Sequence, residues 1–303
     1  LSLNGSQAFM GIPFAAPPTG EQRWQPPGDV KNWSGTRQVK DFGSACPQRV
    51  VDDFDMIPKG RAMDEDCLSL NVSAPNGAAD LPVLVMIHGG GFVTGSGEYL
   101  FQLAPLMTAK GVIFVTLNYR LAGLGFLAHP ELDGGRGVNF GLMDQTAALR
   151  WVNRNIAAFG GDPKKVTIIG VSAGAMSVNM LMASPDTKGL IAGAISQSGY
   201  GTWARQPRTS NVVALADAPS AEAMGLELAS EVTGKPADEV TRKDLYATTA
   251  KQWVDAVRGF TMPIIDGITQ TEEAAVIFAQ GKQRPVPYMS GGASYDGGDS
   301  FVI

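Results

Sequence analysis

The chain has 303 residues, of which 44% are hydrophobic and 17% charged, and its formal net charge is −5 at pH 7. These proportions are typical of a globular protein with ample material for a core. The acidic balance argues against a nucleic-acid partner or an anionic-membrane surface. The apolar stretch "LPVLVMIHGGGF" is interrupted by a histidine and three glycines, so we expect no membrane span. The sequence starts at Leu1 without a charged apolar leader, and we therefore expect a trimmed or incomplete product.

Short apolar runs rich in β-branched residues alternate with helical patterns along the chain. Between the second and third runs, residues 142–160 place apolar side chains at helical spacing, and Gly160 is positioned to end that helix. Continuous apolar strands separated by helices predict a mostly parallel sheet with helices on both faces. Residues 203–283 are more polar and helical, and with no linker in sight we expect a helical excursion within one domain, 1–303. The five predicted strands are 83–88, 112–117, 166–170, 193–198 and 286–290.

The third of these strands runs directly into the spacing G-x-S-x-G. Gly170 and Gly174 flank Ser172, and the residues from Ala173 onward favour a helix. A serine on a sharp turn from strand to helix is the nucleophile elbow of α/β-hydrolases. The motif is short and also occurs in ordinary loops, but here the strand precedes it and the helix follows it, as the motif requires.

An elbow serine needs backbone N–H donors for the negative charge of a tetrahedral intermediate. The first predicted strand is followed by "HGGGF", in which Gly89, Gly90 and Gly91 leave the backbone uncovered by side chains. A phosphate-binding loop would continue with Lys-Ser or Lys-Thr, which this sequence lacks. HGGG after a strand and G-x-S-x-G further along is the pairing of lipases and esterases, so we expect an acyl-transfer site.

The sequence contains two cysteines, Cys46 and Cys67. An even count permits a disulfide, which would contribute about 3 kcal/mol by restricting the unfolded chain. Two unrelated buried thiols explain the same count, and counting leaves both readings open.

These motifs together closely resemble the type-B carboxylesterase and cholinesterase family of α/β-hydrolases, and the resemblance covers nearly the whole chain. It implies the α/β-hydrolase fold and hydrolysis of a small-molecule ester without a metal or organic cofactor. The matching segments are "FMGIPFAAPPTGEQRWQPP", "EDCLSLNV", "HGGGF", "NYRLAGLGFL", "NFGLMDQTAALRWVNRNIAAFGGDPKKVTIIGVSAGA", "PIIDG" and "VPYMSGGASYDGG".

The resemblance also implies roles for particular residues. Ser172 becomes the nucleophile, and the N–H groups of Gly90, Gly91 and Ala173 become the oxyanion hole. The family commonly has a glutamate before a glycine as the acid that orients the base, and here Asp296 stands in that place.

Further implied features are structural. Cys46 and Cys67 match the cysteines of the first disulfide of the family, which in turn indicates a secreted or periplasmic protein. The same match pairs Arg23 with Glu65 and Arg120 with Asp144 as buried ion pairs.

The catalytic base is where the sequence departs from the family. His88 opens the "HGGGF" segment, residues 88–92, which we name the oxyanion loop, and His129 lies in a turn. Both precede Ser172, whereas the triad histidine of this fold follows the acid. We therefore expect the 303 residues to be an N-terminal portion that apparently lacks the C-terminal part of the fold. The histidine would then come from a missing segment or a second polypeptide. The rival interpretation is a non-catalytic interaction protein on this fold, against which the intact elbow and oxyanion loop argue.

Two further departures concern the substrate. Cholinesterases carry a glutamate immediately before the nucleophile, where this chain has Val171, and residues 47–66 contain no aromatic residue except Phe54. A quaternary ammonium would therefore lose both a charge partner and an aromatic face. The sequence predicts an uncharged carboxylic ester, while amide, lactone and thioester bonds stay as alternatives for the same machinery.

Overall fold

The structure is a computed structural model that describes residues 2–3, 5–50, 56–132, 137–199, 206–210, 212, 218–259 and 261–293. Eight strands form one sheet in the described part of the chain. They are β1 (Ser2–Leu3), β2 (Ser6–Pro13), β3 (Ser69–Pro75), β4 (Leu81–Ile87), β5 (Ile113–Leu117), β6 (Gly161–Val171), β7 (Gly193–Gln197) and β8 (Tyr288–Gly291).

Helices lie between these strands and in the segment between β7 and β8. The α-helices are α1 (Gly97–Phe101), α2 (Ala104–Thr108), α3 (Ala122–Gly125), α4 (Phe140–Asn155), α5 (Ala173–Ala183), α6 (Ala221–Thr233), α7 (Arg242–Ala247), α8 (Ala250–Ala256) and α9 (Ala274–Ala279). Single 3₁₀ turns cover Gly20–Gln22, Ile156–Phe159, Pro185–Thr187 and Ala237–Glu239.

The strand order is β1-β2-β3-β5-β4-β6-β7-β8. The pairs β5–β4, β4–β6, β6–β7 and β7–β8 are parallel, whereas β1–β2, β2–β3 and β3–β5 are antiparallel. The sheet is therefore mostly parallel, as the sequence predicted. All five predicted strands are present, with bounds shifted by a few residues, whereas the antiparallel strands at the N-terminal edge were not predicted.

Alternate residues of the central strands face two separate layers of the core. Val83, Val85 and Ile87 of β4 pack in a cluster that includes side chains of α4 and α5. Met86, between them, packs in another cluster with Leu100 of α1. Because successive side chains of a strand point to opposite faces, these helices cover both faces of the sheet.

The predicted helix of residues 142–160 is present with a different ending. It is α-helical as α4 up to Asn155 and then tightens to a 3₁₀ turn over Ile156–Phe159. Gly160 follows with φ 84°, a left-handed conformation that favours glycine. The helical segment therefore ends at the predicted glycine. Its α-helical part ends one 3₁₀ turn earlier, at Asn155.

The Cys46–Cys67 disulfide is formed, with a Cα–Cα distance of 5.0 Å. In the part of the chain that the structure describes, no helix has the length and apolar character needed to cross a bilayer. Nor do the described His, Cys, Asp and Glu residues form a group of three or more that could hold a metal ion.

Candidate active site

Ser172 lies at the turn between β6 and α5, at the carboxyl edge of the parallel strands. Its backbone has φ 56° and ψ −123°, a strained combination for a residue that is not glycine. The serine is exposed, although every residue of α5 behind it is buried. The Ser172 N–H donates to the Gln197 carbonyl at 3.0 Å, which ties the turn to the end of β7.

The two glycines of G-x-S-x-G allow strand and helix to approach. A Cβ on Gly170 would lie 2.2 Å from the carbonyl carbon and oxygen of Gly174. A Cβ on Gly174 would lie 2.2 Å from the Ile87 carbonyl oxygen. Real Cβ atoms do not come this close to backbone, so only glycine fits either position. The elbow therefore depends on both glycines.

The glycine-rich loop after β4 packs directly on the elbow. A Cβ on Gly89 would lie 2.6 Å from the Val171 carbonyl oxygen and 3.1 Å from Ser172 Cβ. Gly90 and Gly91 both have positive φ, 99° and 60°. Among the described residues, no carbonyl or side chain accepts from the N–H of Gly90 or Gly91. These two donors are therefore free for a ligand.

A third donor is available at the first residue of α5. The N–H groups in the first turn of an α-helix have no intrahelical acceptor, and the helix dipole adds partial positive charge there. Ala173 is that first residue and follows the exposed serine directly. The three expected oxyanion donors thus belong to two segments that contact each other around Ser172.

His88 is buried beneath the oxyanion loop. Burial lowers the pKa of His88 to about 4, so its ring is neutral at pH 7. The ring stacks on Tyr119 with centroids 4.3 Å apart, and the Tyr119 hydroxyl donates to the His88 carbonyl at 2.9 Å. The Nδ1 atom lies 2.9 Å from the Gly89 carbonyl oxygen, which assigns the proton to Nδ1.

Neither histidine of the chain is hydrogen-bonded to Ser172. The Nε2 atom of His88 has no partner among the described residues, and the ring is fully buried. His129 Nδ1 accepts from the Glu131 N–H at 3.2 Å, and its Nε2 atom also has no described partner. Burial lowers the pKa of His129 as well. Both rings therefore sit as neutral side chains in the interior.

Two ion pairs brace the segments that flank this edge of the sheet. Arg120 donates from Nε and Nη2 to the two carboxylate oxygens of Asp144 at 2.8 and 2.7 Å, and from its backbone N–H at 3.0 Å. Arg23 donates to both Glu65 oxygens, and Arg120 Nη1 donates to the Arg23 carbonyl at 2.7 Å. The four charged residues therefore form one connected network.

A mainly apolar cavity of about 250 Å³ lies behind residues that bond to the oxyanion loop, and its lining includes neither Ser172 nor residues 88–92. Its wall includes Thr261, whose N–H donates to the Gly91 carbonyl at 3.0 Å. Gly123 also lines it and follows Ala122, whose N–H donates to the Phe92 carbonyl at 2.8 Å. The apolar lining includes Phe126, Leu127, Ala128, Met224, Leu228 and Ile264.

Asp296 and Phe54 lie outside the described residues. The strand before Asp296 is described: β8 is parallel to β7, which is parallel to β6. The Gly291 carbonyl at the end of β8 accepts from the Ser198 N–H at 2.7 Å. β8 therefore ends at the same edge of the sheet as Ser172.

Sequence reasoning did not find the polar contacts that hold the oxyanion loop. Gln48 and Tyr119 both bond to this loop or its flanks, and no role was predicted for either of them. Their partners are distant in the chain, since Gln48 and Gly95 are 47 positions apart. No local spacing signals such a contact.

The fold and the Ser172 turn define an α/β-hydrolase. The chain belongs to the carboxylesterase family, whose model matches residues 2–302. It is 37% identical to fumonisin B1 esterase of Sphingopyxis macrogoltabida over 96% of this chain and 53% of that protein. It is 36% identical to para-nitrobenzyl esterase of Bacillus subtilis (strain 168) over 95% of this chain and 59% of that protein.

Solved structures agree with these sequence matches. A thermophilic PNB esterase superposes with a TM-score of 0.85 at 34% identity, covering 96% of this chain and 60% of that chain. The chain therefore spans a little over half the length of the curated relatives given above.

Proposed function

We propose that this chain carries the nucleophile and oxyanion hole of a serine carboxylic-ester hydrolase. The observation that carries the proposal is the exposed, strained Ser172 beside the unbonded N–H groups of Gly90 and Gly91. Family membership and the esterase names of the relatives support the same chemistry.

In the proposed mechanism, an imidazole takes the proton of Ser172 Oγ as that oxygen attacks the ester carbonyl. The N–H groups of Gly90, Gly91 and Ala173 donate to the oxyanion of the tetrahedral intermediate. Collapse breaks the bond to the alcohol, which leaves with the proton held by the imidazole, and the acyl group stays on Ser172. Water then gives a proton to the same base and attacks the acyl carbonyl, whose oxyanion is held by the same donors. Collapse of this second intermediate breaks the bond to Ser172 Oγ, which takes the proton back from the imidazole, and the carboxylic acid is released.

We propose that the base is a histidine other than the two in this sequence. His88 and His129 are buried and unconnected to Ser172, and the Gly89 carbonyl occupies His88 Nδ1. Asp296 is the proposed acid that orients the base, which agrees with the course of β8 toward the edge that holds Ser172. The histidine would lie on a C-terminal continuation or a second polypeptide.

The proposed substrate is an uncharged ester with one apolar side. The cavity behind residues that bond to the oxyanion loop is lined mainly by aliphatic and aromatic side chains and offers about 250 Å³ for an acyl or alcohol group. Val171 precedes the nucleophile and brings no charge for a quaternary ammonium. With the disulfide, a secreted or periplasmic location is proposed as well.

Hydrolysis of p-nitrophenyl acetate and p-nitrobenzyl acetate tests the activity in the native protein, meaning this chain together with the segment or polypeptide that carries the proposed histidine. We expect turnover by the parent and by Ser230→Ala, a matched control on α6 whose hydroxyl donates to the Lys235 carbonyl. Ser172→Ala should lose activity by about 10³-fold or more, because the covalent route is removed. Full turnover in Ser172→Ala would overturn the proposal.

The substrate class is tested by comparing acetylcholine with its neutral carbon isostere, 3,3-dimethylbutyl acetate. The two esters have the same shape and differ in the charge at the head group. We expect kcat/KM for the neutral ester to equal or exceed that for acetylcholine, because Val171 supplies no charge partner for the ammonium group. A strong preference for acetylcholine would contradict the assignment to uncharged esters.

A further inference from the structure

Gln48, two residues after Cys46, connects the disulfide loop to the oxyanion loop. Its side-chain oxygen accepts from Thr94 Oγ1 at 2.7 Å and from the Gly95 N–H at 2.6 Å. Its side-chain nitrogen donates to the Cys46 and Gly95 carbonyls, both at 2.9 Å. A carboxamide offers two donors and two acceptor positions, so Gln48 uses all of its capacity, and it does so buried.

The residues that Gln48 holds determine the orientation of the Gly91 N–H. The Gly90 carbonyl accepts from the Val93 N–H at 3.0 Å and from the Thr94 N–H at 3.1 Å. The Gly90 carbonyl and the Gly91 N–H belong to one planar trans peptide unit and point in opposite directions. Fixing the carbonyl toward residues 93 and 94 therefore aims the Gly91 N–H away from them.

A second peptide unit is held in the same way. The Gly89 carbonyl, which shares its peptide plane with the Gly90 N–H, pairs with His88 Nδ1. Gly95 packs against both groups, since a Cβ on Gly95 would lie 2.2 Å from His88 Nδ1 and 2.8 Å from the Gly89 oxygen. Displacement of Gly95 would therefore release the peptide that carries the Gly90 donor.

We propose that Gln48 is a positioning residue of the oxyanion hole, which holds Thr94 and Gly95 so that the Gly90 and Gly91 N–H groups point at the developing oxyanion. This inference rests on the proposed function of those groups. The alternative is that Gln48 only attaches the disulfide loop to the body of the protein. If Gln48 positions the donors, removing its hydrogen bonds weakens transition-state binding as well as the attachment of the loop. If Gln48 only attaches the loop, transition-state binding stays unchanged.

Gln48→Met keeps the approximate volume of the side chain and removes all four hydrogen bonds. Loss of one oxyanion donor typically lowers kcat by about 10²–10³-fold. Gln48→Met leaves the Gly90 and Gly91 N–H groups in place but misdirected, so we expect it to lower kcat by about 10–100-fold. KM should change by no more than about threefold, because an oxyanion contact acts in the transition state. The inhibition constant of a trifluoromethyl ketone, whose adduct carries an oxyanion, should weaken in parallel with kcat/KM.

Gln270→Met is the matched control. Gln270 is buried to the same degree, and its side chain donates to the Met180 and Thr269 carbonyls, away from the oxyanion loop. We expect its kcat and ketone affinity to stay within about twofold of the parent. If Gln48→Met does not fold, Thr94→Val carries the test, because it removes only the bond from Thr94 Oγ1. We expect it to lower kcat and ketone affinity together by about fivefold.

Hydrogen exchange of the peptide spanning residues 89–96 gives a readout that does not need activity. Exchange should be faster in Gln48→Met than in the parent and unchanged in Gln270→Met. Unchanged exchange in Gln48→Met would overturn the inference whatever the activity. Faster exchange with normal kcat and normal ketone affinity would reduce Gln48 to a structural attachment. Activity retained in Ser172→Ala would instead refute the proposed function. The exchange result would then still show whether Gln48 holds the segment that contains Thr94 and Gly95.

Discussion

Single residues at the site adopt conformations or environments that other side chains would not tolerate. Ser172 and Phe92 both have positive φ, 56° and 59°, and they lie on the two segments that meet at the proposed oxyanion hole. Backbone strain of this kind persists only where surrounding contacts over-determine it. The close approach at Gly170 and Gly174 supplies such contacts for Ser172. Strain and tight packing thus occur at the same turn.

His88 leads to a prediction about acid stability. Its pKa is about 4 in the folded protein, below the ordinary value of 6.5, because burial disfavours the charged ring. Above pH 6.5 the ring is neutral in both states, and as the pH falls toward 4 only the unfolded chain takes up the proton. The free energy of unfolding should therefore fall by about 3 kcal/mol over this range on account of His88.

Urea unfolding of the parent and of His88→Asn at pH 7 and pH 4.5 measures this contribution. The variant should lose less stability between the two pH values, because asparagine does not titrate. His129, whose pKa burial also lowers, is present in both proteins and cancels in the difference. Equal losses in parent and variant would contradict the assignment.

At the scale of secondary-structure elements, the charged network joins segments that are remote in the sequence. Arg120 follows β5, Asp144 lies on α4, and Arg23 follows the first 3₁₀ turn. Glu65, close to Cys67, completes the chain of contacts. Because the Arg120–Asp144 pair is almost fully buried, removal of one partner strands a charge in the interior.

Asp144→Ala should lower the free energy of unfolding by about 3–5 kcal/mol, since Arg120 would lose its three bonds to the carboxylate. Thermal and urea unfolding measure the change. Asp162→Ala is the control, because Asp162 pairs with the exposed Lys165 and should matter little. A variant of Asp144 that melts normally but turns over slowly would assign this residue to catalysis rather than to folding.

The disulfide acts on the unfolded state. Its cysteines are 21 positions apart, and closing a loop of this length should contribute about 3 kcal/mol. The Cys46→Ala, Cys67→Ala double variant and the reduced parent should therefore lose similar stability in urea. Thiol titration of the denatured, unreduced parent should find no free thiol. Two free thiols would remove the argument for an oxidising compartment.

For the whole molecule, the sequence was most informative where the signal is local. Buried parallel strands such as 83–88 are continuous apolar runs, and the elbow and glycine loop are short motifs at strand ends. The antiparallel edge was missed because β2 and β3 are interrupted by polar residues and pair across about 60 positions, with a bulge between Phe9 and Ile12. Gln48 was missed for the same reason, since its importance lies in partners far along the chain.

The central claim is that Ser172 becomes acylated, and intact-mass analysis of acid-quenched reactions tests it most directly. The native protein is mixed with p-nitrophenyl acetate and the reaction is quenched with acid within the first turnovers. The intact mass is then measured by mass spectrometry, and the modified peptide is located by digestion. We predict one added acetyl group on the peptide that contains Ser172, and none in Ser172→Ala. Turnover by the parent without any acyl adduct, or an adduct that persists in Ser172→Ala, would contradict this account.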